Sequence, residues 1–320
     1  MGLFLLKRLL TLLATLVAAS ALIFSVLELL PGNVAQVILG DSATPESIAA
    51  LEAKLGLHRP ALERYASWIG GWLRGESAVS TSYDTPTATL IAERLQVTLP
   101  LAVLAMMLTV ACAFAMGVYA AAHHRRWPDV AVMTLSQLGL AVPSFWLAIL
   151  LILLFAVKLQ WFSAGGFPGW TEAEGGGWWP GIKALLLPAV ALAAVQAAVL
   201  ARWVRSSVLE VMREDFVRTA RAKGLSRRAT LWRHVLRNAM VPVLTVIGLQ
   251  FAFLISGTVV IEQVFVLPGI GRLVFQAVAN RDLAVVRDVV MLLVAMVVVV
   301  NFIVDLLYAV IDPRLKVART

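Results

Sequence analysis

Six stretches of this 320-residue chain are apolar for long enough to cross a bilayer: residues 9–30, 99–122, 130–157, 183–201, 239–261 and 289–311. A helix needs roughly 20 predominantly apolar residues to span the hydrocarbon. Backbone N–H and C=O groups find no water there, so they must pair within the protein. The runs are continuous rather than alternating, which speaks against a transmembrane β-barrel. The expected fold is an all-α membrane protein with six transmembrane helices. Composition agrees, with 60% of residues hydrophobic and 14% charged, whereas a soluble domain carries about a quarter charged residues. A disordered chain would show the opposite balance. The single cysteine, Cys112, excludes an intrachain disulfide framework and a cysteine-cluster metal site.

Charge sets the orientation. With the N-terminus inside, the cytoplasmic segments are 1–8, 123–129, 202–238 and 312–320. They hold 17 Lys and Arg against five acids, while the rest of the chain holds 10 against 14. Such a positive-inside bias puts both termini in the cytoplasm. It also accounts for the net charge of +8 without nucleic acid as a partner. Lys7 and Arg8 precede the first run, and Ala18-Ala19-Ser20-Ala21 looks like a cleavage sequence. The apolar run nevertheless continues through Leu30, longer than a typical signal h-region, so an uncleaved anchor is expected. The chain then divides into an anchor helix (1–30), an outer region (31–97), a five-helix core (98–311) containing the cytoplasmic loop 202–238, and a cytoplasmic tail (312–320).

The outer region is too long for a simple connector. Thr44-Pro45-Glu46 has the form of a helix start, and Gly56 can end that helix. A second amphipathic stretch runs over Leu62, Tyr65, Trp68, Ile69 and Trp72. These read as two short surface helices, with a docking platform for an outer partner as the functional alternative. In the second outer loop, 158–182, Trp161, Trp170, Trp178 and Trp179 stand among seven glycines. An aromatic belt at the membrane interface is expected there; a lid is the alternative. Pro143 inside the third run predicts a kink.

Ten of the 37 residues in 202–238 are Lys or Arg. A lipid-facing basic helix would look similar. The stretch Asp215-Phe216-Val217-Arg218-Thr219-Ala220-Arg221-Ala222-Lys223-Gly224-Leu225 says more. A short helix with small residues breaks at Gly224, where a left-handed turn is cheap. A second basic helix, about 227–238, leads into the fifth span. Such a helix–turn–helix is a rigid knob that a cytoplasmic partner could grip.

Catalytic signatures are missing. There is no G-x-x-x-x-G-K-[ST] phosphate loop, and Gly269-x-Gly271 lacks the third glycine of a dinucleotide fingerprint and reads as a turn. His58, His123, His124 and His234 form no ligand set, and His123-His124 reads as a solvated loop. Polar residues within spans carry a functional hypothesis by default. Here they are Gln196, Gln250, Asn301 and Asp305, with Glu28 and Glu262 near outer ends. Asp305 is expected to pair with a basic residue near the inner face. Gln250 and Asn301 are candidates for a pathway or for helix contacts.

The knob resembles the cytoplasmic loop shared by permease subunits of binding-protein-dependent ABC importers, and its form is similar to that of the dipeptide/oligopeptide/nickel branch. The general pattern is Glu-Ala-Ala, three residues, then Gly. Arg218-Thr219-Ala220 and Gly224 stand there, with the Glu and first Ala replaced. Leu30-Pro31-Gly32, Leu55-Gly56-Leu57-His58-Arg59-Pro60, the block 257–273 (with Glu262, Pro268, Gly269 and Gly271), Asn280-Arg281-Asp282, Asp305-Leu306-Leu307-Tyr308 and Asp312-Pro313-Arg314 also resemble the branch. Leu283, Arg287 and Asp288 depart from it. The long first outer loop resembles that of the first of the two paired permeases.

The resemblance implies a type I ABC importer permease bundle in the bacterial inner membrane. It implies a non-catalytic subunit forming half of a path for peptides, with nickel chelates, glutathione or another small solute as alternative cargo. It implies as partners a second permease, two cytoplasmic P-loop ATPases that hold ATP and Mg, and an outer solute-binding protein, with no cofactor in this chain. It also makes the segment carrying Asp215, Thr219, Ala220, Ala222, Lys223, Gly224 and Leu225 the ATPase-coupling helix. A stand-alone secondary transporter would want inverted repeats and more midplane ionisable groups. A receptor or scaffold would have no use for the knob.

Overall fold

The computed structural model describes residues 2–29, 34–39 and 43–311. Leu30-Pro31-Gly32 and the tail with Asp312-Pro313-Arg314 lie outside the described residues. The long helices are α1 (Gly2–Glu28), α5 (Thr87–Ala122), α8 (Trp178–Val211), α11 (Leu236–Val264) and α13 (Leu283–Ile311). The sixth candidate span is a bent pair, α6 (Trp127–Ala141) and α7 (Ser144–Leu151), the latter running on as a π-helical turn, Ile152–Lys158.

Several helices outrun their apolar stretches. At 1.5 Å per residue, the 36 residues of α5 measure about 54 Å and the 34 of α8 about 51 Å, against a hydrocarbon core of about 30 Å. Apolar runs mark where lipid ends. The helix itself continues wherever its backbone bonds are intact and water or protein can solvate its side chains. So α5 projects from the outer surface, and α8 carries Arg202 and Arg205 into the cytoplasmic zone.

The bend at Pro143 is far larger than a kink. The axes on its two sides meet at 97°. Val142 is extended and Pro143, which has no N–H, stands as N-cap of α7. Two ties fit the pair to a crossing. Its start is tied to the inner end of α8 through Asp129 and Arg205, and the loop that follows is tied to the outer part of α5 through Trp170 and Gln96.

α8 is the centre of the bundle, packed along α5 and α11 and flanked by α6 and α7. Alanine is the commonest residue on its buried face: Ala189, Ala191, Ala193, Ala197, Ala198 and Ala201. Small residues let helices approach closely where lipid offers no hydrophobic drive. At Gly117 of α5 an added Cβ would sit 2.7 Å from the Ala201 carbonyl oxygen and 2.7 Å from Val204 Cβ. α1 lies outside the bundle, mostly exposed, against α13.

The outer region holds α2 (Val34–Leu39), α3 (Pro45–Leu55) and α4 (Ala61–Arg74). α3 begins and ends as its sequence predicts. Thr44 makes a capping box with Ser47, and Gly56 closes the helix at φ 68°. α4 covers the second amphipathic stretch.

Candidate functional site

The cytoplasmic knob consists of α9 (Asp215–Ala222), the turn at Gly224, and α10 (Arg227–Thr230). α10 continues through a π turn into α11, so Arg227–Val264 is nearly one helix. Gly224 takes φ 88°, and an added Cβ would meet nothing within 4 Å. Glycine is therefore needed for its backbone angle and not for space. Ser226 caps α10, its hydroxyl oxygen accepting from the Ala229 N–H at 3.2 Å. The Thr219 hydroxyl donates to the Asp215 carbonyl at 3.0 Å.

The two faces of α9 differ. Val217 and Ala220 are buried within this chain, Ala220 at 8% exposure. Asp215, Thr219, Ala222, Lys223 and Gly224 are exposed, and Leu225 is half-buried. Ala220 is thus covered within this chain rather than presented on the surface of the knob. The outward apolar residue is Phe216, 42% exposed on a basic face, which small-residue reasoning overlooked.

On the outer side, the Gly269-x-Gly271 turn opens α12 (Ile270–Ala279), a short amphipathic helix between α11 and α13. Glu262 of α11 is fully buried. Its Oε1 accepts from the Thr98 hydroxyl of α5 at 2.6 Å. Its Oε2 accepts from the N–H groups of Gly271 at 2.7 Å and Arg272 at 3.2 Å. Thr98 Oγ1 in turn accepts from the Ile270 N–H at 2.8 Å. A carboxylate thus satisfies the first amide donors of α12, which an N-terminus leaves free. The glycines are there for close approach. A Cβ on Gly269 would strike the Glu262 carboxylate, and one on Gly271 would strike the Val259 backbone. Pro268 is half-buried in the connecting turn.

A second tie joins the same region. Pro100 of α5 has no N–H for the Gln96 carbonyl four residues earlier. That carbonyl accepts instead from the indole N–H of Trp170 at 2.8 Å. The Gly166 N–H reaches the Phe265 carbonyl at 2.8 Å. Trp161, Trp178 and Trp179 are exposed, as belt residues would be, whereas Trp170 fastens the loop to α5. A proline in an apolar run was the available signal for this acceptor.

The outer helices are locked to α12 and α13 by two carboxylates. Asp282 accepts from the Ser80 hydroxyl at 2.5 Å and the Ser82 N–H at 3.1 Å. Asp288 accepts from the indole N–H groups of Trp68 at 2.7 Å and Trp72 at 3.1 Å and from the Thr87 hydroxyl at 2.5 Å. The Arg287 guanidinium lies 4.7 Å from the centre of the Trp68 ring. The departures at Arg287 and Asp288 thus form the anchor for α4. Their signal was an ion pair at the edge of an apolar span opposite a tryptophan-bearing amphipathic helix. α1 joins the assembly through Ser20 and Tyr65 at 2.8 Å and through an ion pair of Glu28 with Arg64.

The remaining polar residues are placed as follows. Asp305 pairs with Arg8 at 2.8 Å, tying α13 to α1. Gln250 is buried, and its amide donates to the Gln196 carbonyl of α8 at 3.3 Å. Asn301 is half-buried on α13. The cytoplasmic turn around His124 is fastened rather than simply solvated. Asp129 is buried and accepts from Arg205 at 2.5 and 2.8 Å and from the Arg125 N–H at 3.0 Å, with His124 Nδ1 at 3.3 Å. No group of His, Cys, Asp and Glu among the described residues could hold a metal ion.

Known proteins are similar to this chain. The pattern of the binding-protein-dependent transport system inner membrane component matches residues 113–317, and that of its N-terminal part matches residues 1–102. A putative peptide transport system permease of Brucella abortus (strain 2308) is 43% identical over 311 residues, covering 97% of this chain and 98% of the relative. The dipeptide permease DppB of Alkalihalophilus pseudofirmus is 36% identical, covering 97% and 98%. The glutathione permease GsiC of Escherichia coli (strain K12) is 38% identical, covering 98% of each. Among solved structures, an inward-facing MetNI methionine ABC transporter chain shares the fold at TM-score 0.58 and 16% identity, over 70% of this chain and 96% of that one. With its pattern matched over most of the length and its relatives aligned nearly end to end, the chain belongs to the family of binding-protein-dependent transport system inner membrane components.

Proposed function

We propose that this chain forms half of the translocation path of an ATP-driven importer for di- or oligopeptides in a bacterial cytoplasmic membrane. The observation that carries the reading is the near full-length similarity to permeases named for peptide and dipeptide transport. The knob agrees with it. A short basic helix with an exposed Phe216, rigidly continued into a span, suits a contact that converts motion of a cytoplasmic ATPase into motion of the bundle. ATP and Mg belong to two such ATPases, a second permease completes the path, and an outer binding protein delivers the cargo. A glutathione reading is favoured by the relatives named for it.

The test is co-expression with the neighbouring reading frames, purification of the complex, and mass spectrometry of the ligand carried by its binding protein. A bound dipeptide or oligopeptide is the expected result. Glutathione would move the chain to the second reading, and a chain that transports without any ATPase would overturn both.

A further inference from the structure

The buried carboxylate of Glu262 has a neighbour that the hydrogen bonds above do not use. Arg94 lies one helical turn before Thr98 on α5, and residues four apart share a helix face. Arg94 therefore shares a face of α5 with Thr98, near enough for its positive charge to favour the Glu262 carboxylate. Its Nε is buried with no hydrogen-bond partner among the described residues. Buried donors are nearly always paired, so an orphan asks for an explanation. Glu262 thus uses the amides of α12, while one turn of α5 away the Arg94 Nε is buried and unused.

We propose that Glu262 and Arg94 are positioning residues for transport: the carboxylate holds α12 on α5 in the arrangement described here, and passes to Arg94 when α12 leaves the outer end of the path. The location supports this. Thr98 is 11 residues inside the outer end of α5, about 17 Å along its axis, close to where the apolar run begins. α12 is joined to α11 and α13 by short turns and exposes Phe275 and Val278 on one face. Undocking α12 without a second partner would strand a charge in a water-poor site. Arg94 removes that obstacle, and the exchange keeps the number of charged hydrogen bonds nearly constant. Two discrete arrangements of near-equal energy are what a gate requires.

The proposal rests on the permease reading, and the experiment separates the two. The assembled complex in nanodiscs is compared by hydrogen exchange, nucleotide-free and trapped with ATP and vanadate, reading the peptide 269–280. In the wild type, exchange at Ile270, Gly271 and Arg272 should speed up by about tenfold or more on trapping. Arg94→Gln should match the wild type without nucleotide yet change less than about twofold on trapping. Arg94→Lys, which keeps a charge, should retain most of the response. Glu262→Gln can still bond Thr98 and the α12 amides but offers Arg94 no charge, so α12 should stay docked in both states. The double variant should be no worse than either single one. Equal exchange in both states of an ATP-responsive wild type, an Arg94→Gln response of wild-type size, or additive effects in the double variant would overturn the proposal while leaving the permease reading intact. A wild-type chain that binds no ATPase and shows no nucleotide response anywhere would instead remove that reading.

Discussion

Asp288 replaced by alanine would leave two indole N–H groups and the Thr87 hydroxyl without their acceptor. Leaving buried donors unmade costs more than the bonds themselves contribute, so a loss of about 2–5 kcal/mol is expected. Asp288→Asn should cost less. Its one oxygen can still serve Trp68 and Trp72, while its amide faces the Thr87 oxygen. Thermal unfolding of the purified chain, followed by tryptophan emission, checks that order, and an alanine variant as stable as the asparagine one would refute it. Glu174 has the opposite character, an exposed carboxyl in the outer loop. The Thr171 and Trp170 N–H groups donate to it at 3.1 and 2.8 Å and hold it below the usual carboxylate range. A carboxyl depressed in the folded loop stabilises it above the ordinary carboxylate pKa, and that contribution fades as pH falls through the depressed value. Trp170 emission should therefore shift as pH falls below the ordinary carboxylate range, and Glu174→Gln should abolish that shift. A shift that persists in the variant would assign it elsewhere.

At the scale of elements, the knob is where sequence and structure meet most directly. Helix, glycine break and basic second helix were legible, because local signals fix all three: a hydroxyl cap, a φ only glycine takes cheaply, and helix-forming residues on either side. The orientation of α9 was not. Ala220 and Val217 face inward because the bundle offers them a surface there, and one sequence does not reveal that. The outer ties were illegible for the same reason, since Thr98 and Glu262 are 164 residues apart and meet only when α5 and α11 pack. Two substitutions separate the faces of the knob. Phe216→Asp alters only the exposed face, so folding should survive while ATPase association falls by at least about tenfold if the contact is worth 1.4 kcal/mol or more. Gly224→Val adds about 1–3 kcal/mol of strain at a left-handed position and re-aims α10, so the ATPases should remain bound with stimulated turnover reduced. A pull-down with the ATPases, followed by stimulated hydrolysis on the reconstituted complex, distinguishes these outcomes; wild-type behaviour in both variants would exclude the knob as the coupling element.

For the whole molecule, the apolar runs were readable as long helices, whereas the course of the third run was not. Hydropathy sees 130–157 as one uninterrupted run, while the backbone turns by 97° at Pro143. The topology depends on treating that bent pair as a crossing and not as a hairpin that returns to its own side. A return would put the Trp170 loop in the cytoplasm and α8 with its arginines outside, against the positive-inside bias. It would also pull Trp170 away from Gln96 and Gly166 away from Phe265, bonds that need the loop at the outer end of α5. Single cysteines in a Cys112→Ser background decide the matter with a thiol reagent that does not cross the membrane. Exposed positions suit the purpose: Glu76 in the outer region, Trp161 after the bent pair, and Arg228 in the knob. In intact cells, cysteine at Glu76 and at Trp161 should label and cysteine at Arg228 should not; after permeabilisation all three should label. Labelling at Arg228 with Glu76 and Trp161 protected would invert the whole chain. Protection at Trp161 with labelling at both Glu76 and Arg228 would make the bent pair re-entrant, reverse the sidedness of everything that follows it, and leave five spans instead of six.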